Sequence, residues 1–346
     1  MRSSLLHLLG LLAIAPAFAE TTASPAAGAV GATLSVGLAG SAFPLIEADV
    51  SVGVAGVGVA TVDGSGNARL SLPVAAQTSP ASVLVAGTAY YLEVISGALE
   101  GERYEVDVAT TLTLGAGRVA LDLTSARSTA STVILASLNG CGVAIRPHLT
   151  LAKIQAMFSP ALVGNNNAAL ADALLVYGGS GFTTYYLRGD NLAWRKAGST
   201  TDYAAMVIAP DDGVLVQLRS GSKVMTHFGL PRMNDFRLNL KSGYTVGSTG
   251  YAVDLSPLQF GAIINAGPAP QHEWIGNNLQ SSADGMQLFD PAKRSFTSYY
   301  LRSDGVSWRT PGSTSVLTNT ALLKPSSYFI IKRTNSNPNY LVLRPY

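Results

Sequence analysis

Residue types that carry chemistry are sparse in this chain and poorly spaced for it. Apart from His7, the histidines are His148, His227 and His272, and none has a His-x-x-x-His or Glu-x-x-His partner. A zinc site needs several such ligands converging on one ion, so no metal is expected. Asp211-Asp212 has carboxylates suited to calcium, yet no alternating Asp/Asn loop closed by a glutamate surrounds it, and it reads as a solvated hairpin turn. Gly178-Gly179-Ser180-Gly181 resembles a nucleophile elbow until Phe182, which stands where the last glycine of Gly-x-Ser-x-Gly must be. Of the 11 acidic residues after position 130, 10 are aspartates near turn formers, as in surface loops. A carboxylate pair for glycoside hydrolysis meets in space and leaves no mark in the sequence. With no phosphate loop either, the chain is expected to be non-catalytic, with no catalytic residue and no cofactor. Arg188-Gly189-Asp190 spells an adhesion tripeptide, but the matching Arg302-Ser303-Asp304 lacks the glycine, so the shared feature is an Arg and an Asp flanking a turn.

Aromatic residues are the candidates for binding. Tyr185, Tyr186 and Trp194, with Arg195 beside the tryptophan, recur as Tyr299, Tyr300, Trp308 and Arg309. Their rings suit either of two tasks, stacking on the apolar face of a sugar or filling a core. Neighbouring residues on a strand point to opposite faces, so at most one tyrosine of each pair is expected with the core and the other is available outside.

These residues sit in an internal repeat. Phe182 to Thr200 and Phe296 to Thr314 are identical at 12 of 19 positions, at a constant offset of 114. Outside this block Gly164-Asn165-Asn166 matches Gly276-Asn277-Asn278, Ala171-Asp172 matches Ala283-Asp284, and Pro210 with its apolar run matches Pro325 with Phe329 to Ile331. The unit, roughly a hundred residues long, is domain-sized and not a solenoid repeat. Within each copy, Thr, Tyr, Phe and Leu predict a strand, Gly189-Asp190-Asn191 or Ser303-Asp304-Gly305 a turn, and the tryptophan a returning strand. One short helix is expected over 149–158, with Leu151, Ile154, Met157 and Phe158 at helical spacing and Thr150 near its start. Upstream, alternation predicts strands at 50–54, 57–59, 68–72, 89–95, 103–114, 118–123 and 131–136, broken by Gly56 and by a turn over Asp63 to Asn67.

The hairpin ending in Trp-Arg-x-x-Gly-Ser, with a following Pro and apolar strand, resembles an uncharacterised family of exported β-rich proteins of Verrucomicrobia-type bacteria. Tyr90 to Gly101 and Leu149-Thr150-Leu151 match the same pattern. The resemblance implies an exported, internally duplicated β protein, and the family offers no activity or catalytic residue to carry over.

Composition agrees with that class. Among 346 residues, 47% are hydrophobic and only 13% charged, with a net charge of +2, which excludes a charged disordered chain and argues against a nucleic-acid partner. Arg2, the apolar run from Leu5 to Ala15 and Ala17-Phe18-Ala19 read as a cleaved signal peptide over 1–19, and no later stretch reads as a transmembrane helix. The expected location is the periplasm, the cell surface or the extracellular space. One cysteine, Cys141, forbids an internal disulfide and is expected to be a buried, inert thiol. Charge is segregated: residues 20–130 hold 4 basic and 10 acidic groups, and residues 131–346 hold 18 basic and 11 acidic. Opposite halves can attract, by docking within one chain or head to tail between chains, and the alternative is solvated surfaces with no contact, since exposed pairs contribute only about 0–1 kcal/mol each. The expected architecture is all-β, with an N-terminal β domain (20–130) and two tandem, homologous β-sandwich or barrel-like domains (131–232 and 233–346). The expected function is that of an exported, non-catalytic structural or interaction protein of the cell envelope or matrix, self-associating or bound to other envelope proteins. The alternative is a carbohydrate-binding module that grips a polysaccharide with the duplicated Tyr-Tyr/Trp hairpins.

Overall fold

A computed structural model describes residues 28–56, 59–62, 68–73, 79–114, 117–123, 137–190, 193–240, 243–261, 274–290, 293–317, 320–325, 327–334 and 339–342. The expected signal peptide, the turn over Asp63 to Asn67 and the strand at 131–136 lie outside these residues. The fold is all-β, with three helices of six residues or fewer and one 3-10 turn among the described residues.

Each sequence copy builds a five-stranded antiparallel sheet of the same order. In the first copy the strands run 194–196, 182–187, 173–177, 213–218 and 37–42; in the second they run 308–309, 295–301, 285–290, 329–333 and 243–247. The fifth strand of the first sheet, Gly37–Ala42, comes from far upstream, whereas its counterpart Gly243–Gly247 lies just ahead of the second copy's other strands. The outer pairs correspond too. Gly28–Leu34 pairs with Lys223–Pro231 in the first copy, and Phe236–Asn239 with Asn339–Val342 in the second. Between the upstream strands and the body of the first copy stands a seven-stranded antiparallel sheet, ordered 51–54, 142–147, 90–96, 103–106, 118–122, 68–73, 59–62. Its strand Gly142–Pro147 therefore belongs with upstream strands, across the expected boundary near residue 130.

Alternation explains the layers. In the first sheet Leu174, Val176, Tyr185, Leu187, Val214 and Val216 share one face and bury against Ile154, Leu151 and Trp194. Leu38, Leu175, Tyr177 and Leu215 point the other way and meet Val246, Phe289, Phe296, Tyr328 and Ile330 of the second sheet, so the two sheets stack face to face. Tyr328 lies flat against backbone here: a Cβ at Gly213 would stand 2.6 Å from its ring, and one at Gly40 would stand 2.9 Å from its own Cβ. Only residues without a side chain allow that approach.

Local signals account for the rest. Thr150 accepts the Lys153 N–H at 3.3 Å and starts the helix Leu151–Ala156, inside the span expected from sequence. At the matching place in the second copy, Ser256 and Gln259 cap each other reciprocally, the Ser256 N–H donating to Gln259 at 2.9 Å and the Gln259 N–H to Ser256 at 3.3 Å. The expected strand over 103–114 is corrected. It stops at Val106, because Asp107 accepts the Thr110 N–H at 3.0 Å and caps a one-turn helix, Val108–Thr111. Local side-chain capping there overrides the β-propensity of Val and Thr. Cys141 is buried in the core of the seven-stranded sheet.

Candidate functional site

Burial divides the eight hairpin candidates. Trp194 is 0% exposed and donates its ring N–H to Gln155 Oε1 at 2.9 Å, while Trp308 is 1% exposed and meets Trp274 edge to face at 5.7 Å. Tyr185 is buried beside Tyr203, with ring centroids 5.1 Å apart, and Tyr299 packs against the second core. Tyr186 and Tyr300 are half-buried on the opposite face, each directly across from an arginine: Tyr186 pairs in register with Arg195, and Tyr300 with Arg309. Parity along the strand thus separates each Tyr-Tyr pair as the sequence implies, and both tryptophans belong to cores. The Arg-x-Asp tripeptides are turns. Asp304 accepts the Ser307 and Val306 N–H groups at 2.8 and 3.1 Å, and Asp190 accepts the Ala193 N–H at 3.3 Å.

The copies share a second, deeper arrangement. Asp172 and Asp284 are fully buried. Asp172 accepts the Val163 and Arg219 N–H groups, both at 2.8 Å, and Asp284 accepts those of Ile275 at 2.9 Å and Thr334 at 2.7 Å. Each carboxylate so ties the segment ahead of the central strand to the end of the neighbouring one. A cation stands beside each, Lys223 Nζ 3.7 Å from Asp172 and Arg333 Nε 3.0 Å from Asp284. Multiple donors and a charge partner are what a buried carboxylate requires. The Ala-Asp match in the sequence marked the position without revealing this role.

Charge segregation resolves into contacts within the chain. Glu93, fully buried in the seven-stranded sheet, pairs with Arg146 of its own sheet and with Arg232 of the segment that links the two copies, and accepts from Asn234 Nδ2 at 3.3 Å. Glu100 accepts the Asp235 N–H at 3.0 Å, and Glu102 pairs with Arg237 at 3.1 Å. Arg103 donates to the Arg237 carbonyl at 3.0 Å, pairs with Asp211 at 3.3 Å and lies 4.3 Å from the centre of the Phe236 ring. Acidic groups of the upstream half thereby meet basic groups of the downstream half in one molecule.

Where the seven-stranded sheet and the two copies converge, a cleft of about 320 Å³ stays open to solvent. The seven-stranded sheet contributes Tyr91, Arg103 and Glu105, the first copy Tyr177 and Asp211, and the second Arg237 and Tyr244. His148, buried in its wall, hydrogen-bonds Glu105 through Nε2 at 2.8 Å, and its ring lies 4.8 Å from that of Tyr91. The Tyr177 hydroxyl donates to the Gly179 carbonyl at 2.8 Å, which fixes the ring beside a Gly-Gly turn at the edge of the cleft. Its members come from separate segments spread over residues 91–246, so no local spacing could have found them.

Among the described residues no group of three or more His, Cys, Asp or Glu is placed to hold a metal ion. His227 is buried edge to face with Phe43 at 5.6 Å, its two ring nitrogens have no hydrogen-bond partner among the described residues, and desolvation lowers its pKa to about 4. Burial without a partner favours the uncharged ring. No described helix is long and apolar enough to cross a membrane. Comparison with protein-family models, with curated proteins and with solved structures finds no match to this chain.

Proposed function

We propose that this chain is an exported, non-catalytic structural or interaction protein of the cell envelope or extracellular matrix. One observation carries the reading: the duplicated aromatic and acidic positions serve construction. Trp194, Trp308, Tyr185, Asp172 and Asp284 are buried within the two copies, and the stacked sheets and the Glu93 and Arg237 contacts join those copies to the seven-stranded sheet as one frame. Such a frame presents surface, and the leader-like N-terminus together with the resemblance to an exported β-rich family supports a place outside the cytoplasm. Because opposite charges already pair inside the molecule, head-to-tail self-association has less electrostatic drive than the sequence suggests, and other envelope components are the favoured partners. Fractionation of the producing cells should leave the chain with the envelope. A monomer found only in the culture medium overturns the reading.

A second reading, the carbohydrate-binding module, keeps support from Tyr186 and Tyr300, which stand beside Arg195 and Arg309 away from the cores. It requires polysaccharide retention that falls when both tyrosines become alanine. Full retention by that double variant removes the hairpins from the binding surface.

A further inference from the structure

We infer that the cleft between the seven-stranded sheet and the two copies is a binding site for a small neutral saccharide.

Charge balance comes first. The lining holds four carboxylates, Glu102, Glu105, Asp211 and Asp212, against two guanidiniums, Arg103 and Arg237. That excess repels an anion. A cation fares little better, since Glu102 is held by Arg237 at 3.1 Å, Asp211 by Arg103 at 3.3 Å and Glu105 by His148 at 2.8 Å. An ion that engaged any of these three pairs would have to displace a partner already in place and desolvate the group it left.

Hydroxyl groups make no such demand. A carboxylate engaged by one donor keeps spare lone pairs, and a guanidinium with five N–H groups keeps spare donors. A polyol, each hydroxyl both donating and accepting, can use the two kinds side by side without breaking any pair. The remaining requirement is an apolar face for the sugar ring. Tyr244 is 48% exposed on the cleft wall, and Tyr177 is oriented by its bond to Gly179. Aromatic rings with a polar tip suit a ligand that is apolar on one face and wet at its rim.

Size and position agree. The volume lies near the lower end of the ~300–1,000 Å³ common for small-ligand sites, which also favour junctions between domains. Arg103 spans the junction, reaching the Arg237 carbonyl of the second copy, Asp211 of the first and the ring of Phe236. The walls are thus fixed before a ligand arrives, which lowers the ordering cost of binding.

Calorimetric titration of the full chain tests this with glucose, galactose, mannose, N-acetylglucosamine and cellobiose as probes. Glucuronate and glucose 6-phosphate serve as anionic comparators and glucosamine as the cationic one. At least one neutral sugar should bind saturably at a single site and more tightly than its charged relatives. Tyr244→Ala, a change at an exposed ring, should weaken it by about tenfold or more, as loss of a central aromatic contact does. Asp211→Asn should weaken it as well. If Asp211→Asn disturbs the docking of the units, seen as a lower melting temperature, Tyr244→Ala alone decides. No saturable binding of any neutral sugar, tighter binding of a charged probe, or full affinity in Tyr244→Ala overturns the inference.

Discussion

Asp284 supplies the sharpest stability prediction. Its carboxylate, 0% exposed, accepts from the Ile275 N–H at 2.9 Å, the Thr334 N–H at 2.7 Å and the Thr334 hydroxyl at 2.8 Å, and Arg333 Nε stands 3.0 Å away. Asp284→Ala strands two backbone donors and a guanidinium that is itself buried. Unsatisfied buried donors cost about 1–3 kcal/mol each. Removing one member of a buried ion pair costs roughly 3–5 kcal/mol. These penalties fall on the same few atoms and do not add, so a total of about 3–5 kcal/mol is expected. Asp284→Asn keeps one acceptor oxygen but turns an amide toward a donor, and should lose about 2 kcal/mol or more. Urea unfolding followed by tryptophan fluorescence reads this directly, since Trp274 and Trp308 both lie in the second core. Asp304→Ala, at an exposed turn in the same copy, is the control and should lose no more than about 1 kcal/mol. The reasoning is refuted if Asp284→Ala unfolds within about 1 kcal/mol of the wild type, or no more easily than Asp304→Ala.

Three other perturbations address the core, the sheet stack and the docking. His227 is depressed to about 4 in the fold. Its neutral-form stabilisation is complete above the unfolded value of ~6.5 and is lost as pH falls from there through 4, a total of roughly 3 kcal/mol. His227→Phe should flatten that part of the difference in a pH series of unfolding free energies, and a wild-type curve parallel to the variant's would refute it. Gly213→Val drives a side chain into Tyr328, where even a Cβ would stand 2.6 Å from the ring, and should cost at least ~1–3 kcal/mol by overpacking. A neutral result would mean that the two sheets do not stack as described. Glu93→Ala takes from buried Arg232 its carboxylate, while Arg146 keeps Asp49 at 2.6 Å, and should open the seven-stranded sheet to limited proteolysis, whereas Glu102→Ala, at a partly exposed pair, should change little. Equal protease resistance of both variants would count against the docking.

Local pattern made much of this legible. The strands at 51–54, 68–73 and 118–122 and both hairpins follow from alternation and turn chemistry, and the Tyr-Tyr parity placed Tyr185 and Tyr186 on opposite faces. Which face holds the core is a matter of what lies behind the sheet, so the burial of Trp194 and Trp308 could not be read from the hairpin alone. Partner choice was equally hidden. Gly37–Ala42 is a run of small residues with no signal naming Gly213–Leu218 as its neighbour, because the pairing spans some 170 residues of chain. The break at Asp107 is the opposite case: an Asp three residues before Thr110 is a capping signal, masked by the β-prone Val and Thr around it. Glu105, Asp211 and Tyr244 look individually like surface positions, and only the folded chain brings them to one cleft.

The function proposed here is tested most directly by crosslinking in the producing cells, followed by identification of what is joined to the chain. An envelope or matrix interaction protein should yield reproducible adducts with envelope components, with crosslinked peptides drawn from its exposed surfaces and not from the Glu93 and Arg237 docking contacts. Recovery of the chain only as an uncrosslinked monomer in the medium would contradict it.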